Sequence, residues 1–236
     1  MYKSDSSKRS LADKKISRSS LIGSLGALGA LGTLPFLVTS CGKNKLEQVV
    51  YEGSHQEAIL DNILKRRSIR KYTDQEVSQE ILDVIMRCAI FAPSATNEQP
   101  WEVRLIYKPE LLTVINERWK KTAPKKNLID AQNPNYSVMH HAPVLVVIAG
   151  DSKNPKARVD VGIMLQTILL SSHALGLGSC PIGMLVPTLI HPENQDIVKT
   201  LNIPDGYEVM ANSALGYPDE SPEAPIRFSD KVKFIK

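Results

Sequence analysis

Cysteine is scarce in this chain: Cys41, Cys88 and Cys180 are the only three in 236 residues. No C-x-x-C pair and no Cys/His set has the ligand spacing of a zinc site. His140 and His141 are adjacent rather than four apart, so their rings would diverge on a helix; they are expected at a helix end before a strand. After Cys41, one disulfide is the most the chain could form. The apolar or small surroundings of Cys88 and Cys180, MRCAIF and GSCPIG, suit two buried free thiols instead. A surplus of one charge is also missing from most of the chain. The formal net charge is +4, and residues 1–40 carry all of it, with six basic and two acidic side chains. The remaining residues hold 23 of each sign. A neutral domain has no field to gather a polyanion, so nucleic acid is not expected as a partner. There are no internal repeats, no G-x-G-x-x-G after a strand, no Walker loop and no Ser-His-Asp triad.

The N-terminus reads as an address. Residues 1–20 are basic and polar, and Leu21 to Cys41 then runs without a charge. That is the pattern of a secretory signal, although the run is also near the ~20 residues that span a bilayer. Glycines at 23, 26, 29 and 32 would make a poor membrane helix. The segment ends Val38-Thr39-Ser40-Cys41, which resembles a bacterial lipoprotein box with Cys41 as the acylated residue. SRSSLIG resembles a twin-arginine export motif only in part, with Ser19 where the second arginine would stand. The expected organisation is a signal over 1–40, a tether over 41–53 and one globular domain over 54–236. The expected location is the bacterial cell envelope, periplasm or outer face, with a lipid anchor at Cys41.

Within the domain, Ser54–Glu57 is a capping box, followed by Ile59, Leu60, Ile63 and Leu64 on one helical face. A second helix is expected from about Ser78, stopped by Pro93, then a strand at WEVRLIY and a helix from Pro109 to about Lys120. Residues 121–135, with two prolines, are expected to be a mobile excursion. Pro143–Gly150 is a continuous apolar run, as in a central strand covered on both faces. Ala157–Gly176 is a long helix with little charge, fit for the core or a subunit interface, with Gly176 as its C′ residue. A helix opened by Pro192, a strand at GYEVMANSALGY and an extended proline-rich tail complete an α+β fold.

Three loops carry candidate chemistry. In KRRSIRKY, Arg66, Ser68 and Arg70 alternate, so an extended segment would point two guanidiniums and a hydroxyl one way, as a phosphate requires. A solvated helix end, where cations meet the dipole, explains the same residues. In APSATNEQPW, Ser94, Thr96, Asn97 and Gln99 offer uncharged hydrogen bonds suited to a heterocycle, or to a plain turn. In LGLGSCPIGM, three glycines in eight residues let backbone approach a flat ligand; Pro181 has no donor, but Ile182 and Gly183 do.

The three loops, in this order and spacing, resemble the FMN-dependent nitroreductase family over about residues 56–230. The resemblance implies a mixed central sheet flanked by helices, in an intertwined homodimer with an extended C-terminal arm and FMN at the interface. It implies that Arg66, Ser68 and Arg70 hold the phosphate and ribityl, with Arg67 adjoining. Ser94, Ala95 and Asn97 would reach the flavin from the partner subunit, with Gln99 near. Pro181, Ile182 and Gly183 would lie along the ring, and Arg227 would close on the phosphate from the arm. The flavin carries the chemistry in such enzymes, so no side chain is expected to be catalytic; Asp160 is expected to cap its helix or pair with an arginine. Electrons would pass from NAD(P)H through flavin N5 to a nitroaromatic, quinone or related acceptor. Residues 110–138 would form a lid whose lysines either favour an anionic acceptor or are simply solvated. Nicotinamide cofactors are scarce outside the cytoplasm, so an exported enzyme needs another donor. A non-catalytic flavin-binding or scavenging lipoprotein is the alternative.

Overall fold

A computed structural model describes residues 54–235. The expected signal and tether, and Cys41 with its expected lipidation, lie outside the described residues. Helix α1 (His55–Lys65) starts directly after Ser54, and α2 (Gln79–Ala89) follows Ser78, whose hydroxyl accepts the Ile81 amide. Strand β1 (Trp101–Ile106) leads into α3 (Pro109–Thr122), with Pro109 at the first turn where its missing N–H costs nothing. Strand β2 (Val144–Asp151) precedes the 18-residue α5 (Ala157–Ala174), which Gly176 ends at φ 78°. Strand β3 (Gly178–Pro181), the short helices α6 (Val186–Leu189) and α7 (Gln195–Thr200), and β4 (Tyr207–Gly216) follow.

The sheet order is β1-β2-β4-β3 and every strand pair is antiparallel. The expected mixed sheet is therefore mixed only through one parallel bridge, between Ser68 and Ser179. Strand β2 is central, with Val144 to Gly150 all buried, which is why its sequence is apolar without alternation. Its odd residues Leu145 and Val147 join Trp119, Leu185 and Leu189 on one face. Val144, Val146 and Ile148 join Ile85, Met164 and Ile168 on the other, under α2 and α5.

Three expectations are corrected. Residues 121–135 are not a structureless excursion: α3 runs to Thr122, and a 3-10 turn and α4 (Leu128–Gln132) follow. Trp119 stacks on Tyr136 at 5.3 Å, and Asn116 donates to the Tyr136 carbonyl and accepts the Val138 amide, so the segment is pinned at its far end. His140 and His141 do not end a helix. They form a turn at φ 56° and 57°, held by bonds from His140 N to Ser137 O and from Ala142 N to Met139 O. The glycine-rich loop contains strand β3, because segment 66–72 covers its edge and takes up Ser179 O through the Ile69 amide at 3.0 Å.

Much apolar surface remains exposed. Helix α1 buries no residue, leaving Ile59, Leu60, Ile63 and Leu64 outward. On α5, Val159, Gly162, Ile163 and Gln166 form an uncharged exposed stripe. The tail runs without regular structure apart from a 3-10 turn at Ser229–Lys231, and it exposes Ile226, Phe228, Phe234 and Ile235.

The fit of segment 66–72 on β3 depends on Gly178, where an added Cβ would lie 2.8 Å from Ile69 Cβ. Gly178→Ala is expected to destabilise the fold by about 1–3 kcal/mol, the usual range for overpacking. Gly183→Ala, which meets nothing within 4 Å, is expected to change stability by no more than about 0.5 kcal/mol. Denaturant unfolding of the two variants checks this, and equal midpoints would refute the close packing.

Candidate functional site

The 66–72 segment leaves α1 and runs extended along β3. Extended backbone alternates its side chains. Ile69 is buried against Gly178, whereas Arg66, Ser68 and Arg70 all act on Cys180 of β3. Burial pushes the Cys180 thiol up, and Arg70, a hydrogen bond from Ser68 and Arg66 oppose it. Arg67 faces elsewhere: its Nη1 donates to Leu64 O at 2.6 Å and Arg66 O at 2.9 Å, capping the end of α1. Lys65 pairs with Asp61 at 2.7 Å. The helix-end explanation thus holds for Lys65 and Arg67, while Arg66, Ser68 and Arg70 are free of that duty.

Arg66 Nη1 is buried and has no hydrogen-bond partner. Burial, Arg67 and Arg227 push its pKa down, so a third guanidinium, from the tail, stands close enough to repel it. A buried donor with no acceptor among like charges lacks an anion. Phosphate fits that deficit.

The root of the tail is fixed to the same segment. Thr73 N donates to Tyr217 O, Asp219 N to Lys71 O, and Tyr72 bridges Pro218. Arg70 N donates to the Glu220 carboxylate. Tyr72, whose hydroxyl burial pushes well up, donates to Ile69 O at 2.6 Å. Behind the cluster, His173 near the end of α5 meets Asn62 at 2.6 Å. Asn62 Nδ2 donates to Leu170 O, so its Oδ1 accepts and His173 Nδ1 carries the proton.

The second loop is strained. Thr96, Asn97 and Gln99 stand at φ 52°, 58° and 49°, unusual for three non-glycines in four residues and most so for β-branched Thr96. Ser94 Oγ accepts the Gln99 amide at 2.9 Å, and Asn97 and Gln99 are exposed. The Ala95 amide donates to both Asp160 oxygens at 3.3 Å. Of the two expected roles, an arginine pair is not found among the described residues: Asp160 lies in the first turn of α5 and its carboxylate holds the loop.

In the third loop, Pro181 is exposed and ends β3. Ile182 is buried and donates its amide to Asn212 O at 3.0 Å, which leaves Gly183 as the motif's remaining donor. Gly176 and Gly183 both face open space, but Gly176 serves the helix end and Gly178 packs on Ile69, which leaves Gly183 without such a duty. The sequence reading missed Asn212, which is 2% exposed with neither side-chain polar atom partnered. It also missed Glu220.

The structure brings Arg66, Ser68, Arg70, Pro181, Ile182, Gly183 and Arg227 into one region. It places Ser94, Ala95, Asn97 and Gln99 in another. The first region adjoins His173 on α5 and the second adjoins Asp160, thirteen residues and about 20 Å apart along the helix. Beta3 and β1 are also opposite edges of the sheet. A cavity of about 660 Å³ between α3 and the His140–His141 turn holds none of these residues. Its Asn116, Lys120 and His141 are already bonded to neighbouring chain atoms. Cys88 and Cys180 are both free thiols.

Residues 63–217 match the model of the Nitroreductase family. A protein of Methanothermobacter thermautotrophicus, provisionally named as an NADH dehydrogenase/NAD(P)H nitroreductase, is 32% identical over 70% of this chain and 79% of its own length. The "FMN reductase (NAD(P)H)" of Bacillus subtilis is 28% identical over 71% of this chain and 69% of its own. Among solved structures, a nitroreductase with bound FMN from Bacteroides fragilis superposes with a TM-score of 0.71 at 25% identity, covering 75% of this chain and 98% of that one.

Burial, then Arg66 and Arg67, push the His173 pKa down. The folded chain thus holds the ring neutral, while the unfolded chain binds a proton near pH 6.5. This stability is complete above about pH 6.5 and is lost as pH falls through the depressed folded value. The thermal midpoint is expected to fall between pH 7.5 and 5.5, and to fall less in His173→Gln. Equal falls in both proteins would remove His173 from the account.

Proposed function

We propose, on the premise that this chain belongs to the nitroreductase family, that it is an FMN-dependent oxidoreductase working as a homodimer. The observation that carries the proposal is the buried, partnerless Nη1 of Arg66 amid Arg67 and Arg227. Arg66, Ser68, Arg70 and Arg227 hold the phosphate. Ser94, Asn97 and Gln99 hydrogen-bond the ring edge without charge. The Gly183 amide, left over when Ile182 bonds Asn212, is the donor offered to the ring. Bound FMN supplies hydride acceptance and donation at N5, from a donor such as NAD(P)H to a nitroaromatic, quinone or related acceptor. The protein's part is to bind, orient and keep water off the ring.

One chain cannot assemble this site, because its two halves are about 20 Å apart along α5. Two copies can. If the exposed stripes of α5 pack antiparallel about a two-fold axis, the Asp160 end of one helix meets the His173 end of the other. The stripe is uncharged, as such a contact needs, and the exposed α1 face and tail give the arm apolar surface to cover.

We further propose that the chain is exported and anchored through Cys41, on the strength of the basic n-region, the uncharged run and the lipobox. Among the described residues no helix is long and apolar enough to cross a membrane. An envelope location favours a quinol or a protein donor over a nicotinamide.

The detergent-solubilised full chain is expected to be yellow and to release FMN on denaturation. Arg66→Ala with Arg70→Ala is expected to weaken FMN by about two to four orders of magnitude, as loss of two charge-assisted contacts implies. Fluorescence titration measures this, and unchanged affinity would refute the phosphate role. Flavin that no donor bleaches would favour the scavenging alternative. In a separate test, Val159→Glu with Ile163→Glu is expected to give a monomer without flavin by light scattering and absorbance; a flavin-loaded monomer would refute the shared site. Cys41→Ser is expected to abolish metabolic labelling by palmitate, and persistent label would refute the anchor.

A further inference from the structure

We infer that Asp160 is a positioning residue, holding the Ser94–Gln99 loop in the conformation that meets the flavin. The flavin part rests on the function proposed above; the loop part does not.

Asp160 is 3% exposed, and among the described residues it forms no ion pair. A buried carboxylate without a cation is unfavourable, so something must offset it. The first turn of α5 supplies part, since the positive end of the helix dipole favours an anion there. The Ala95 amide, shared between both oxygens at 3.3 Å, supplies a direct partner. No flavin is needed for this contact, so it is already made in the protein alone.

The loop needs such a hold. Three left-handed non-glycines are strained, and such residues persist only where their surroundings fix them. Most of the loop's bonds are internal: Asn97 N to Ser94 O, Glu98 N to Ala95 O, and Gln99 N to Ser94 Oγ. Two ties reach outward. Glu98 accepts from Asn154 Nδ2 at 2.7 Å, but on the exposed side. The Asp160–Ala95 contact lies on the inner, part-buried side, and it grips the residue directly before the strained run. Because the Ala95 amide is used in this way, it is not available to the ring. Asp160 therefore decides which groups of the loop face outward, namely the side chains of Asn97 and Gln99, without touching the flavin.

Asparagine at 160 keeps one acceptor oxygen and loses the charge; alanine keeps neither. In the full chain without flavin, Asp160→Ala is expected to raise hydrogen exchange of the 95–99 amides roughly tenfold, the low end of the range for losing a bond to a charged acceptor, as suits a long, shared bond. Exchange over residues 164–172 of α5 should not change. FMN affinity should fall by about the same factor, and Asp160→Asn should restore both quantities to within about threefold. Unchanged loop exchange in Asp160→Ala would overturn the inference. So would a loss in Asp160→Asn equal to that in alanine, with α5 also exchanging faster, since that marks a structural role in the helix. A mobile loop with unaltered FMN affinity would overturn the flavin part. A wild-type chain that takes up no FMN would sink the proposed function instead, and loop exchange would still decide what Asp160 holds.

Discussion

The geometry of this protein depends on the rigidity of α5. An 18-residue helix packed through Val161, Met164 and Ile168 onto a buried sheet cannot bend to bring its ends together. One end holds the strained loop through Asp160. The other meets α1 through His173 and Asn62, next to the cationic cluster. The helix is thus both the core of the monomer and the ruler that keeps the two parts of the candidate site apart. Its exposed stripe lies between them, on the surface that a second copy would need.

At the cationic end, packing and chemistry share the same residues. Ile69 is driven into the core against Gly178, and its amide completes the edge of β3. Period-two alternation then turns Arg66, Ser68 and Arg70 to the other side. The hydrophobic effect on one isoleucine sets the direction of two guanidiniums. The short ladder between residues 70–73 and 217–220 brings the tail, and so Arg227, to the same place.

Local patterns in the sequence revealed most of the fold. The apolar run of β2, the start of α2 near Ser78, the sparsely charged length of α5 and Gly176 are signals carried by neighbouring residues, and each lies where it is expected. What stayed hidden depends on distant contacts. Strand β3 is four residues long with a glycine and a proline, and it is a strand because 66–72 and β4 flank it. The bond from Ala95 to Asp160 joins residues 65 apart in sequence. The left-handed His140–His141 pair had one faint signal, the enrichment of histidine at positive φ. In the site, the alternation of Arg66, Ser68 and Arg70 was legible because extended backbone has a fixed period. The division of Arg67 from its neighbours, the unpartnered Asn212 and the carboxylate of Glu220 were not, since each is set by what packs against it.

The bond from Arg70 to Glu220 spans 150 residues of sequence. Contacts so distant carry a large loop-closure entropy and form after local ones have condensed. The clasp between the two ends of the domain cannot form until residue 220 has been synthesised. A growing chain that stops short of residue 220 lacks part of the wall around Arg66 and Arg70. An anion held by that wall is taken up only after the chain has grown past residue 220.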